Sequence, residues 1–162
     1  MPALIALGAN VVLHGAGYDA AAERAAELAA ESGAVYIHPF DDWEIMAGQG
    51  TVGLELLEQL PDVDAVIVPV GGGGLAAGMA VAAKALKPGI RVVGVQTARF
   101  PAMVNAVKGT HHPQGTSTIA EGIAVGTPGK ITQEIVKRLV DDLVLVDEGD
   151  IEQAIVLLLE IE

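Results

Sequence analysis

Gly71, Gly72, Gly73 and Gly74, followed by Leu75, stand between an apolar Val/Ile run and an Ala-rich segment of helical spacing. Glycine puts no Cβ between backbone and ligand, so successive N–H groups can turn into one concavity, and the following helix adds the positive end of its dipole. Such a loop suits an anion, and three kinds of phosphate ligand can be told apart. A nucleoside triphosphate loop ends in Gly-Lys-Ser/Thr, whereas Gly74 is followed by Leu75 and Ala76. A dinucleotide fingerprint can be drawn through Gly71, Gly73 and Ala76. The end of the next strand, however, offers Gln96 and Thr97 where an acid for the ribose hydroxyl is expected. What remains is a phosphate monoester held by backbone amides alone, since no Lys or Arg lies between Pro69 and Gly78. Tight helix–sheet packing needs only one or two glycines, so the whole run reads as a phosphate loop.

Other polar residues have plainer readings. His38 precedes Pro39 at a strand end and reads as structural rather than as a general base. His111 and His112 are adjacent, point apart in an extended loop and have no carboxylate beside them, so they read as solvated rather than metal-binding. Asp41, Asp42 and Glu44 suit a strand-exit cap and a solvated face, and Glu23, Glu27 and Glu31 form one acidic helix stripe. Without cysteine there is no disulfide or thiolate metal site. A formal charge of -12 repels nucleic acid and anionic lipid, and no apolar run approaches a membrane span, so neither is an expected partner and a soluble cytoplasmic protein is expected.

Short Val/Ile runs at 10–14, 35–38, 65–70, 91–95 and 143–146 alternate with helical patterns at 19–32, 50–60, 101–107, 128–140 and from 150 onward. After the glycine run, Leu75, Met79, Ala82, Ala83 and Leu86 share a helical face that closes at Lys87, Pro88 and Gly89. This alternation predicts an α/β fold with a parallel sheet and right-handed crossovers. Residues 108–118 read as a loop. A short helix over 3–7 ending at Gly8, and the uncapped apolar segment 151–162, lead to the expectation of a piece of a longer chain.

In chain order, GANVVLHG (8–15), HPFDD (38–42), GQGT (48–51), PVGGGGL (69–75), VVGVQ (92–96) and IAEGIAV (119–125) resemble the fold-type II pyridoxal-phosphate enzymes, in their threonine dehydratase and serine racemase branch. The resemblance implies a three-layer sandwich with a mostly parallel sheet, of the tryptophan-synthase-β-like kind. It implies that residues 1–38 are a remnant of a small domain and 39–162 part of the large cofactor-binding domain. Gly71, Gly72, Gly73, Gly74 and Leu75 would then hold the phosphate of pyridoxal 5'-phosphate, and the backbone at Gly122 would lie against its ring, with Glu121 a polar wall. The reaction implied is β-elimination of the hydroxyl of threonine or serine, giving a 2-oxo acid and ammonia, in a homo-oligomer. The resemblance further implies that the phosphate helps protonate the departing hydroxyl. A loop without a cation suits that role, because a nearby Lys or Arg would depress the second phosphate pKa, ordinarily near ~6.

Departures from the pattern matter as much. The family's Schiff-base lysine lies in a Ser-x-Lys-x-Arg-Gly-type segment upstream of the glycine loop, and none of Lys84, Lys87, Lys108, Lys130 and Lys137 has that context. The Asn motif at the ring hydroxyl, the Ser-Gly-Gly turn at the ring nitrogen and the cation-binding carboxylates over 96–102 are missing too. The expectation is therefore a threonine/serine ammonia-lyase fragment without a catalytic residue of its own. The alternative is a non-catalytic phosphate-binding α/β module, or half of a split assembly.

Overall fold

The structure is a computed structural model that describes residues 2–161, and its contacts divide the chain into two units, Met1–Tyr36 and Ile37–Glu162. In the first unit, helix α1 (Pro2–Ala6) is followed by Gly8 at φ +86, and helix α2 (Tyr18–Ser32) is closed by Gly33 at φ +73. A left-handed residue lets the chain turn back on the helix, and the Gly33 N–H does so by donating to the Ala29 carbonyl at 2.9 Å. Arg24 answers the acidic stripe, pairing with Glu27 at 2.7 Å and Glu31 at 3.4 Å.

The strands expected at 10–14 and 35–38 do not form. Among the described residues neither run has a ladder partner, and an extended segment without one stays irregular. Their apolar side chains are left in the open: Leu13 is 71% and Val35 89% exposed.

In the second unit, helix α3 (Trp43–Gln59) precedes strand β1 (Ala65–Pro69) and helix α4 (Gly74–Leu86). Strand β2 (Arg91–Thr97), helix α5 (Ala102–Lys108), helix α6 (Lys130–Leu139), strand β3 (Asp142–Val146) and helix α7 (Glu148–Ile161) follow. The strands form one parallel sheet in the order β1-β2-β3, with Val66 opposite Val92 and Gly94 opposite Leu143. This is the α/β architecture that the sequence predicts. Val66, Val68, Val92 and Leu143 point from the sheet into a core with Met46 and Leu57 of α3, Ala76, Ala77, Met79, Ala80 and Ala83 of α4, Met103 and Val104 of α5 and Val136 of α6. The opposite face carries Ile67, 74% exposed. Each large side chain fully buried in this core is worth about 1.5–3 kcal/mol.

Two local differences have clear causes. Helix α3 begins at Trp43 rather than near 50, because the Asp42 carboxylate accepts the N–H groups of Glu44 at 2.9 Å and Ile45 at 3.1 Å. Helix α4 buries Gly74, Ala76, Ala77, Gly78, Met79, Ala80 and Ala83, a wider set than the predicted stripe, of which Met79 and Ala83 are buried, Leu75 packs against the core and Leu86 is 61% exposed. It is covered on two sides, by the sheet and by α3, so its small residues are the buried ones. A Cβ on Gly78 would overlap the Met46 carbonyl and the Gly50 amide, and one on Gly50 would come within 3.2 Å of the Gly78 carbonyl. The GQGT motif thus serves, through Gly50, to bring two helix backbones together. No described helix is long and apolar enough to cross a membrane.

At the N-terminal edge of the sheet, Lys84 donates to the Ile90 carbonyl at 2.6 Å and to Asp141 at 2.7 Å, and Asp141 also accepts the Val92 N–H at 2.7 Å. The Lys84 hydrogen bond, then the Val92 amide, hold the Asp141 carboxyl below its usual range. A depressed carboxyl stabilises the fold above the ordinary Asp range near ~4, and that contribution is lost as pH falls through the lower folded value. Asp141→Asn should therefore reduce the loss of stability between about pH 7 and about pH 3 in urea titrations; an unchanged pH dependence would show that the pair contributes nothing. Gly78→Ala should cost about 1–3 kcal/mol of unfolding free energy. Gly89→Ala, whose Cβ would meet nothing within 4 Å, should change it by less than about 0.5 kcal/mol.

Candidate functional site

Strand β1 hands the chain to the glycine loop through Val70, whose N–H still donates to the Val95 carbonyl at 2.8 Å. Packing then accounts for every glycine of the run, more than the one or two that the sequence reading allowed. A Cβ on Gly71 would lie 3.0 Å from the Ile123 Cα, and one on Gly72 or Gly74 would overlap Phe40. Gly73 sits at φ +99, where a Cβ would also strike Met103 and Thr132. The protein thus fills the side from which the Cβ atoms are missing. Gly72, Gly73 and Gly74 are buried, yet the amides of these residues and of Leu75 donate to no acceptor among the described residues; the first helical bond here runs from the Ala77 N–H to the Gly73 carbonyl at 2.8 Å. Unanswered donors at a helix N-terminus, in a loop without a cation, fit a phosphate group.

The loop is held from behind by HPFDD. The His38 Nδ1 accepts the N–H of Phe40 at 3.3 Å and of Asp41 at 2.8 Å, and the two rings meet edge to face at 4.7 Å, so His38 shapes a turn as expected. Phe40 lies under the glycines. Asp42 caps α3, whereas Asp41 caps α6: its carboxylate accepts the N–H groups of Lys130 at 2.9 Å, Ile131 at 2.8 Å and Thr132 at 3.1 Å. The sequence reading took Asp41 for a local cap; the helix it caps lies 90 positions away in sequence. Helix α6 in turn grips the loop, with the buried Thr132 Oγ1 donating to the Gly72 carbonyl at 2.7 Å and the Gly129 N–H to the same carbonyl at 3.2 Å. Phe40, Asp41 and Thr132 carry no chemistry-bearing pattern in the sequence. Only HPFDD as a motif marked the first two.

A 3-10 turn, Glu121–Ile123, lies beside the loop, with Ile123 and Val125 against Gly71. Gly122 is exposed, its φ is not positive, and a Cβ there would meet nothing within 4 Å. No contact of the protein requires glycine at this position. The open face it leaves has room for a bound group. Glu121 is exposed at the same turn. The expected residues Gly71, Gly72, Gly73, Gly74, Leu75 and the turn carrying Gly122 are therefore neighbours at the C-terminal edge of the sheet, where parallel α/β sheets bind ligands.

Three of the five lysines lie at the opposite edge of the sheet. Lys84 sits at the N-terminal edge; Lys87 donates to the Pro61 and Val63 carbonyls, and Lys108 to Asp142 and the Leu143 carbonyl, at that same edge. Lys130 and Lys137 are exposed on α6. Gln96 and Thr97, which weakened the dinucleotide reading, are fully buried: the Gln96 Oε1 accepts the Val104 N–H at 3.0 Å, and the Thr97 hydroxyl donates to Glu148 at 3.1 Å. His111 and His112 are exposed on a loop shaped by Asn105, whose Oδ1 accepts the His112 N–H and whose Nδ2 donates to the His112 carbonyl, each at 2.9 Å. Asp41→Ala should lower stability by about 1–2 kcal/mol and speed amide exchange at Lys130, Ile131 and Thr132. Unchanged exchange at these amides would contradict the capping role.

Comparison with known proteins agrees with this geometry. The family described as pyridoxal-phosphate dependent enzyme matches residues 2–162. The L-threonine ammonia-lyase of Thermotoga maritima is 48% identical over 156 residues, a match that covers 95% of this chain and 39% of that enzyme. Among solved structures, maize serine racemase superposes with a TM-score of 0.83 at 35% identity, covering 93% of this chain and 48% of the racemase. The processed form of threonine deaminase isoform 2 from Solanum lycopersicum gives 0.81 at 40% identity, covering 90% of this chain and 41% of the deaminase. With the family matched along the whole described chain, and with solved relatives superposing over nine-tenths of it, this chain belongs to the pyridoxal-phosphate-dependent enzymes, in their fold-type II class.

Proposed function

We propose that this chain is the phosphate-holding part of a threonine or serine ammonia-lyase, with Gly71, Gly72, Gly73, Gly74 and Leu75 binding the phosphate of pyridoxal phosphate and Gly122 facing its ring. The observation that carries this reading is the set of buried loop amides without acceptors. Pyridoxal phosphate, when bound, supplies the electron sink that lets a hydroxy amino acid lose its α-proton and β-hydroxyl. The residues of this chain bind and orient. The amides fix the phosphate without adding positive charge, which preserves its capacity to carry a proton near neutral pH, and the open face at Gly122 leaves room for the flat ring.

The chain spans 39% of the Thermotoga enzyme, and the Schiff-base lysine is assigned to sequence outside these residues. The engagement of Lys84, Lys87 and Lys108 at the far edge of the sheet supports that assignment. For the chain by itself it also favours the second reading, a phosphate-binding module or half of a split assembly. Residues 1–38 are assigned to the small domain and 39–162 to the large one, a boundary supported by the break in contacts between Tyr36 and Ile37. A cytoplasmic homo-oligomer follows from the same reading. Apolar side chains left in the open, such as Leu158 at 65% and Leu159 at 76%, favour association.

The test is a phosphorus NMR titration of the chain with inorganic phosphate and with pyridoxal phosphate. Both should bind, and pyridoxal without its phosphate should not. Gly122→Val adds bulk only where the structure is open, so it should leave inorganic phosphate binding unchanged and weaken pyridoxal phosphate at least ~10-fold, a cost of about 1.4 kcal/mol. Borohydride should trap no lysine stoichiometrically. Pyridoxal binding as tightly as its phosphate would overturn the phosphate site, and one specifically trapped lysine would overturn the missing nucleophile.

A further inference from the structure

Glu148 opens α7 and takes no part in the site described above, yet its carboxylate accepts hydrogen bonds from two other segments. The Thr118 hydroxyl donates to Oε1 at 2.6 Å and the Thr97 hydroxyl to the same atom at 3.1 Å, while the Ile119 N–H donates to Oε2 at 2.8 Å. The Thr118 Oγ1 then accepts the Ala120 N–H at 3.1 Å. One carboxylate thus ties the end of β2 and the chain just ahead of the Glu121–Ile123 turn to the start of α7. Downstream, Ile123 and Val125 rest against Gly71. The turn is therefore pinned on the Glu148 side and packed on the glycine side, with Gly122 between the two. Hydrogen bonds from Thr118, then from the Ile119 amide, hold the Glu148 carboxyl below its usual range, with Thr97 and the charge of Arg99 adding to them, so it is ionised at neutral pH.

We propose that Glu148 is a positioning residue that sets where the turn carrying Gly122 stands relative to the phosphate loop. This rests on the reading of the loop and turn as the two walls of a pyridoxal phosphate site. The carboxylate touches no ligand itself. It acts through the Thr118–Ala120 backbone.

The experiment compares the wild-type chain with Glu148→Gln, Thr118→Val and, as a control on the exposed side of α7, Glu152→Gln. Amide hydrogen exchange is read without ligand; the phosphorus signal and the induced circular dichroism of the ring are read with pyridoxal phosphate. Glu148→Gln keeps the shape but loses an acceptor, so amides 119–125 should exchange at least ~10-fold faster while those of β1 and α4 keep their protection. Thr118→Val should give a smaller change in the same segment, and Glu152→Gln none. Phosphate affinity should stay constant while the ring dichroism falls. Unchanged exchange over 119–125 in both variants overturns the role of Glu148, as does faster exchange throughout the second unit with phosphate and ring signals falling together. A wild-type chain that binds no pyridoxal phosphate overturns the site reading instead, and with it the consequence for the ring.

Discussion

Buried amides with no acceptor are expensive, at about 1–3 kcal/mol for each unanswered donor, and in the second unit those of Gly72, Gly73 and Gly74 find none among the described residues. Gly72, Gly73 and Gly74 are buried, and their carbonyl and Cα sides are occupied: Phe40 lies under Gly72 and Gly74, Met103 and Thr132 lie at Gly73, and the Gly72 carbonyl takes hydrogen bonds from Thr132 and Gly129. These amides lie at the start of α4, where the helix dipole adds to them.

The supports of the loop depend on one another. Asp41 holds the start of α6, α6 supplies Thr132 and Gly129, and these hold Gly72, while Phe40, the residue before Asp41, fills the space that the missing Cβ atoms leave. Asp42 starts α3, and α3 presses on α4 through Gly50, Gly53 and Gly78. Two consecutive aspartates thus cap two different helices, α3 packed on α4 and α6 on the loop itself. On the other flank Glu148 fixes the chain entering the Gly122 turn. Polar groups at the ends of elements, rather than the apolar core alone, set the geometry of the site.

The two edges of the sheet divide the labour. Lys84, Asp141, Lys108 and Asp142 pair at the N-terminal edge, where they hold strands and helix ends together. The C-terminal edge has the glycine loop, and its carboxylate, Glu148, is held by hydroxyls and a backbone amide rather than by a lysine. A chain with a formal charge of -12 repels anions at long range. An anion placed at the glycine loop would still be attracted by fixed amide dipoles at short range, since exposed charges are screened over about 10 Å.

Amino-acid order alone determined the alternation of strands and helices from Ala65 onward, the parallel sheet and the glycine loop between β1 and α4. These follow from local periodicity, turn chemistry and the preference of Val and Ile for strands, all short-range properties. Tertiary structure decided the rest. Strands at 10–14 and 35–38 needed ladder partners that the described residues do not supply. Which α4 residues are buried depended on α3 lying against it, and the caps of Asp41 and Glu148 join positions far apart in sequence. Hydrogen bonds of that kind leave no periodic trace, because each needs only one acceptor to arrive at one helix end or turn. The fold brings those partners together only after every element is in place.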